Sequence, residues 1–262
     1  MSYRYITLTV AQQVATLTLN RPEVHNAFDD VMIAELLDAL AQVERDDSAR
    51  VLVLRSKGRN FSAGADLGWM RSMADKNYDE NIADAGELSQ LMATLDTLSK
   101  PTIAVVQGAA FGGAVGLAAC SDIVIAEPGA SFCLSEVKIG LIPAVISPYV
   151  MRAIGARQSR RYMLTAERFD AEQAQAMGLV HSISSDTDSC LDDFLAAFHA
   201  NSPAAVSACK ELIAAVEQQP DVHAQQQLTI ERIAHIRVSA EGQEGLSAFL
   251  EKRRPYWIKD SQ

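Results

Sequence analysis

Thr102-Ile103-Ala104-Val105-Val106-Gln107-Gly108-Ala109-Ala110-Phe111-Gly112-Gly113-Ala114 joins an unbroken apolar run to a junction of glycines and alanines. Lys100-Pro101 just before it stops a helical pattern, since proline cannot continue the preceding turn. The apolar run has the length of a strand buried on both faces. Gly112 to Cys120 then reads as a short helix of small residues, and Ile123 to Ala126 as the next strand. Strand, tight junction, helix and strand in this order predict an α/β fold over roughly the first two-thirds of the chain.

The same unit precedes it. Residues 4–10 and 14–19 alternate polar and apolar about a turn at Gln12-Gln13, which predicts a hairpin. Asn20-Arg21-Pro22 ends the second strand. Met32, Ile33, Leu36, Leu37, Leu40 and Val43 fall at helical spacing between Asp29 and Glu44. Arg50 to Arg55 is a buried strand, and Leu88 to Leu98 a helix. Beyond about residue 145 the strand signal fades into helices beginning near Ser147, Arg157, Asp170, Asp188, Pro203, Val222 and Ala240. Ser202-Pro203 fits an N-cap followed by a first-turn proline.

The chain has 262 residues, 48% of them hydrophobic, enough for one main domain. Its 23 Lys and Arg against 33 Asp and Glu give a net charge of -10. That balance opposes a broad attraction to nucleic acid or to an anionic membrane. The apolar stretches are broken by Gln107 and glycines, and Met1-Ser2-Tyr3-Arg4 carries no signal-peptide core, so a cytoplasmic location is expected. Cys120, Cys133, Cys190 and Cys209 show neither C-x-x-C pairing nor histidine at zinc spacing, and read as buried thiols. No metal or redox cofactor is implied.

Two junctions that follow strands carry the chemistry. One is Asn60-Phe61-Ser62-Ala63-Gly64-Ala65-Asp66-Leu67, the other Gln107 to Ala114. Side chains this small let backbone N–H groups approach a ligand closely, and a helix N-terminus adds partial positive charge. Two N–H groups aimed at one oxygen would make an oxyanion hole. Close helix-to-sheet packing would ask for the same small residues. A phosphate loop is excluded, since neither G-x-x-x-x-G-K-[ST] nor G-x-G-x-x-G is present.

Taken together, Asn20-Arg21-Pro22 with Asn26-Ala27, Phe61 to Leu67, Gly108 to Gly113, Asp122-Ile123, Phe132 with Glu136, Gly140 with Pro143, and Ser247 to Arg253 resemble the crotonase (enoyl-CoA hydratase/isomerase) family in order and spacing. The resemblance implies a spiral of β-β-α turns over residues 1–200. It also implies a helical trimerisation region over 201–262, and a homotrimer or a hexamer built as a dimer of trimers. The implied substrate is an acyl-CoA thioester, with coenzyme A part of the substrate. By position, the family's oxyanion donors fall on the N–H groups of Ala65 and Gly113. Its CoA contacts fall on Glu23, Val24, His25, Ala63, Asp66 and Leu67, with Phe249 and Lys252 reaching the adenine end of a neighbouring subunit. The family often has lysine where this chain has Glu23.

Two-glutamate hydratases of the family use one carboxylate at each of two positions. Here Glu136 occupies the second and Gly116 stands at the first. Glu136 is therefore the expected general acid/base, in an apolar stretch that can raise its pKa. Gly64 to Met73 and Leu134 to Pro148 resemble the bacterial hydratases of 3-methylglutaconyl-CoA and isohexenylglutaconyl-CoA, which serve leucine and acyclic-terpene breakdown. Their substrates carry a second carboxylate, for which Arg71 and Lys138 are candidate cations. Other readings stay open: a Δ3,Δ2-enoyl-CoA isomerase with one glutamate, a decarboxylase or thioesterase on the same fold, and a non-catalytic acyl-CoA-binding or RNA-binding scaffold.

Overall fold

A computed structural model describes residues 3–258. Contacts divide the chain into two compact units. One runs to Leu98 and resumes over Thr102–Leu191; the other holds Ser99–Pro101 and the chain from Asp192 onward.

In the first unit, β1 (Ile6–Ala11) and β2 (Val14–Leu19) pair antiparallel in register Ile6↔Leu19 to Ala11↔Val14. Gln12 and Gln13 both take positive φ (48° and 65°), as a two-residue hairpin matching strand twist requires. Strand β2 buries Ala15, Leu17 and Leu19 on one face only. β3 (Val51–Ser56) and β4 (Thr102–Val106) instead bury successive residues, as strands of a parallel sheet covered on both faces do. With β6 (Ile123–Ala126) and β9 (Ser182–Ile183) they form a six-stranded sheet ordered β1-β2-β3-β4-β6-β9, parallel from β2 onward.

A second sheet of three strands was not legible in the sequence: β5 (Ala109–Phe111) parallel to β7 (Ser131–Cys133), and β8 (Phe169–Asp170) antiparallel to β7. Two or three residues are too few to show a period of two, so β8 and β9 escape a reading in which strands end near residue 145.

Helix α1 (Asp30–Arg45) is capped by Asp29 and buries Met32, Ile33, Leu36, Ala39, Leu40 and Val43. α2 (Leu67–Ala74) follows the first junction, where no helix was expected. α3 (Tyr78–Asp96) starts ten residues before its expected start at Leu88. Its first half buries nothing, and an Asn77/Glu80 capping box starts it. α4 (Gly113–Cys120) packs Ala114, Val115, Gly116, Leu117 and Ala118 into the core. α5 (Ser147–Thr165) breaks at Gly155 (φ 74°), which accounts for the two helix starts read there, and α6 (Ala171–Met177) follows.

α7 (Thr187–Ala200) crosses the boundary, and the second unit continues with α8 (Pro203–Gln218), α9 (Val222–Val238) and α10 (Ala240–Leu250). α8 and α9 bury no residue, and Ile213, Ile230 and Ile233 stand exposed. Two thiols depart from expectation: Cys120 and Cys133 are buried, but Cys190 in α7 is partly exposed, and Cys209 is exposed on α8, which fully buries no residue. Among the described residues no helix is long and apolar enough to cross a membrane.

Candidate active site

The first junction leaves β3 and runs alongside β5. Phe61 N–H donates to Gln107 O at 2.8 Å, Ser62 N–H to Ala109 O at 3.0 Å, and Phe111 N–H to Ser62 O at 3.0 Å. It then forms a parallel bridge with Phe28, whose N–H donates to Gly64 O (2.8 Å) while Asp66 N–H donates to Phe28 O (2.7 Å). A trans peptide holds its C=O and N–H on opposite sides. With Gly64 O turned toward Phe28, the N–H of Ala65 is directed away from it. Gly64 must be glycine here: its φ is +96°, and a Cβ would lie 3.1 Å from Phe111 O.

The second junction leads β5 into α4. Gly112 (φ 55°, ψ −122°) donates its N–H to Cys133 O at 2.9 Å, and no side chain caps the helix. Gly113 is the first helical residue, so its N–H has no intrahelical acceptor and lies at the positive end of the helix dipole. A Cβ on Gly113 would sit 3.5 Å from the Phe28 ring. Phe28 therefore brings the two junctions together, its backbone bridged to Ala65 and its ring against Gly113.

Glu136 begins a 3₁₀ turn, Glu136–Ile139, just after β7, closed by left-handed Gly140. Its Oε1 lies 3.2 Å from where a Cβ on Gly112 would be, which places the carboxyl beside the residue preceding Gly113. Its Oε2 is buried and has no hydrogen-bond partner. Desolvation pushes the carboxyl above the ordinary glutamate range, opposed by a hydrogen bond from its own backbone N–H. Gly116, three residues into α4 from Gly113, faces Ile146 and Met92.

The structure brings Ala65, Gly113 and Glu136 together. Ala63 and Leu67 are exposed beside Ala65. Asp66 caps α2, accepting from the N–H groups of Gly68 (2.7 Å) and Trp69 (3.1 Å). Glu23 and His25 are exposed and Val24 half-buried, in and just after the 3₁₀ turn Pro22–Val24. That segment is tied to the first junction: Ala63 N–H donates to His25 O at 3.0 Å, and Asn60 Nδ2 lies 3.0 Å from His25 Nδ1. Buried, left-handed Asn26 accepts from Arg21 N–H (2.8 Å) and donates to Lys57 O (2.8 Å) and Asn60 O (3.0 Å). Arg71 and Lys138 are exposed, and neither has an ion-pair partner among the described residues. Phe249 (82% exposed) and Lys252 (φ 59°) belong to the second unit, at the end of α10 and just after it.

Sequence reasoning missed Phe28 and Ile146. Phe28 follows Asn26-Ala27 as one more aromatic, and Ile146 is one apolar residue in an apolar stretch, so neither carries a signal. Arg21 stood inside a quoted motif but without a role.

A protein-family profile described as enoyl-CoA hydratase/isomerase matches residues 9–260. The 2,3-dehydroadipyl-CoA hydratase of Escherichia coli K12 is 35% identical over 250 residues, covering 93% of this chain and 94% of that protein. The 1,2-epoxyphenylacetyl-CoA isomerase of the same strain is 36% identical over 262 residues, 96% of this chain and 97% of that protein. The crystal structure of an enoyl-CoA hydratase from Shewanella pealeana superposes with a TM-score of 0.95 at 53% identity, over 97% of this chain and 96% of that one.

Proposed function

The chain belongs to the enoyl-CoA hydratase/isomerase family, and from that premise we propose that it hydrates a glutaconyl-type acyl-CoA, 3-methylglutaconyl-CoA or isohexenylglutaconyl-CoA. The observation that carries this reading is the Glu136 carboxyl beside Gly112, with raised pKa and an unpartnered Oε2. The thioester oxygen would accept from Ala65 N–H and Gly113 N–H, which hold the enolate as it forms. Ionised Glu136 takes a proton from water while the hydroxide adds to the β-carbon. The same carboxyl then gives that proton to the α-carbon, so one group serves as base and acid.

The E. coli hydratase named for 2,3-dehydroadipyl-CoA supports an acyl group with a second carboxylate, and the unpaired Arg71 and Lys138 are the cations that would meet it. Glu23, Val24, His25, Ala63, Asp66 and Leu67 would line the path of CoA, with Phe249 and Lys252 contributing from another subunit. The exposed apolar residues of α8 and α9 support a homotrimer or a dimer of trimers, working in the cytoplasm.

An isomerase shuttling one proton between C2 and C4 of an enoyl-CoA is the second reading. It is favoured by Gly116, where packing against Ile146 leaves no room for another carboxylate. Product masses from 3-methylglutaconyl-CoA, crotonyl-CoA and a 3-enoyl-CoA, run with wild type and Glu136→Gln, separate the two. A gain of water lost in the variant supports hydration; conversion of the 3-enoyl-CoA alone, without water, supports isomerisation.

A further inference from the structure

Arg21 stands away from Glu136 yet joins the starts of two helices. Its guanidinium is 2.8 Å from Asp29 Oδ2 and 3.2 Å from Asp66 Oδ2, lies 4.4 Å above the Tyr5 ring, and donates to Ala27 O at 3.3 Å. All three charged side chains are largely shielded, with 14% of Arg21, 13% of Asp29 and 17% of Asp66 exposed. Each carboxylate divides its work. Asp29 Oδ1 caps α1 through Met32 N–H (2.8 Å) and Asp66 Oδ1 caps α2, while both Oδ2 atoms face Arg21.

Asp66 directly follows Ala65, and Asp66 N–H is pinned to Phe28 O at 2.7 Å. Of the eight residues of α2 only Trp69 is buried, so packing holds this helix weakly. We propose that Arg21 is a positioning residue for the oxyanion hole: by bridging Asp29 and Asp66 it fixes the Gly64–Ala65 peptide plane against Phe28, and with it the aim of Ala65 N–H. The inference rests on the reading of Ala65 as an oxyanion donor. The second junction is joined to the first, Asn60 Oδ1 accepting from Ala109 N–H at 3.0 Å, and touches the Phe28 ring at Gly113. Loss of Arg21 therefore acts most directly on Ala65 N–H, which adjoins Asp66. Lysine retains the charge but is a point donor that cannot bridge two carboxylates as a planar guanidinium does.

The test compares wild type, Arg21→Lys and Asp66→Asn, the last keeping an oxygen to cap α2 while dropping the ion pair. The probe is 2,4-hexadienoyl-CoA, whose absorption moves to longer wavelength when its thioester carbonyl is polarised. The expected result is a red shift in wild type that shrinks in both variants. With 3-methylglutaconyl-CoA, kcat should fall about 10- to 100-fold in both variants, and in Arg21→Lys KM should change by less than about threefold, since the lost interaction acts in the transition state. A solely structural role would lower the melting temperature and leave the shift and kcat of the folded enzyme intact, which overturns the proposal. Should Arg21→Lys fail to fold, Asp66→Asn carries the same readouts. No red shift in wild type would overturn the oxyanion reading itself, and the role of Arg21 with it.

Discussion

Ile146 fills the space that any side chain at Gly116 would need: a Cβ built on Gly116 would lie 2.3 Å from Ile146 Cγ2 and 2.9 Å from its Cβ, with Met92 Sδ at 3.1 Å. Both residues are buried, so neither can move aside into solvent. Gly116→Ala should therefore cost about 1–3 kcal/mol through overpacking. Combined with Ile146→Ala, the loss should be smaller than the sum of the single losses, with a coupling of about 0.5–3 kcal/mol. Denaturant unfolding of the three variants measures this, and strict additivity would refute the contact.

Glu136 ties activity to a stability cost. As the base it must be ionised, so the acid limb of kcat/KM should lie above the ordinary glutamate range, in the direction burial pushes it. The folded state binds this proton more tightly than the unfolded chain. Stability from this site is greatest at low pH, falls as pH rises through the unfolded and then the folded pKa, and stays lowered above both. Glu136→Gln should lose at least about 100-fold in kcat and be more stable than wild type at neutral pH, because a neutral amide escapes the desolvation cost of the buried carboxylate. A pH–rate profile and a pair of neutral-pH melts check both.

Gly113→Pro replaces one N–H with a ring methylene that points where the thioester oxygen would sit, so the donor and its space are lost together. Proline is tolerated at the first position of a helix, and the neighbouring Phe28 ring is at ordinary contact distance. Turnover should drop about 100- to 1000-fold with the melting temperature nearly kept. Wild-type turnover in this variant would remove Gly113 from the site.

His181 holds the edge of the main sheet. Its Nδ1 accepts from Val124 N–H at 3.0 Å, and its own backbone N–H returns a bond to Val124 O at 2.9 Å. Burial lowers its pKa, with Asp122 opposing. Protonation would turn Nδ1 into a donor and break the first bond. This stability is full above the ordinary histidine value and is lost as pH falls through it toward the lower folded value. His181→Ala should cost about 1–2 kcal/mol at neutral pH and flatten the acid slope of stability; parallel slopes in wild type and variant would contradict the role.

How much was legible in the chain depended on run length. Thr102–Val106 and Val51–Ser56 announced themselves because each holds four successive apolar residues, a run that a strand buried on both faces of a parallel sheet explains. β5, β7 and β8 did not, since two or three residues carry no period, and their pairing is imposed by the chain around them. α2 stayed hidden because only Trp69 of its residues is fully buried, with Met73 partly so. At the site, the small-residue junctions were readable from residue type, while Glu136 was singled out by position through the family resemblance. The role of Phe28 between the two junctions was not, because its ring and its backbone act on segments distant in sequence and in different ways.

In the proposed function one carboxylate, Glu136, adds water across a glutaconyl-type double bond. Conversion of 3-methylglutaconyl-CoA in water labelled with oxygen-18, with wild type and Glu136→Gln and the product read by mass, tests this step. A hydroxyl carrying the heavy oxygen is expected in wild type and none in the variant. An unlabelled isomer as the wild-type product, or labelled product formed equally well without Glu136, would contradict it.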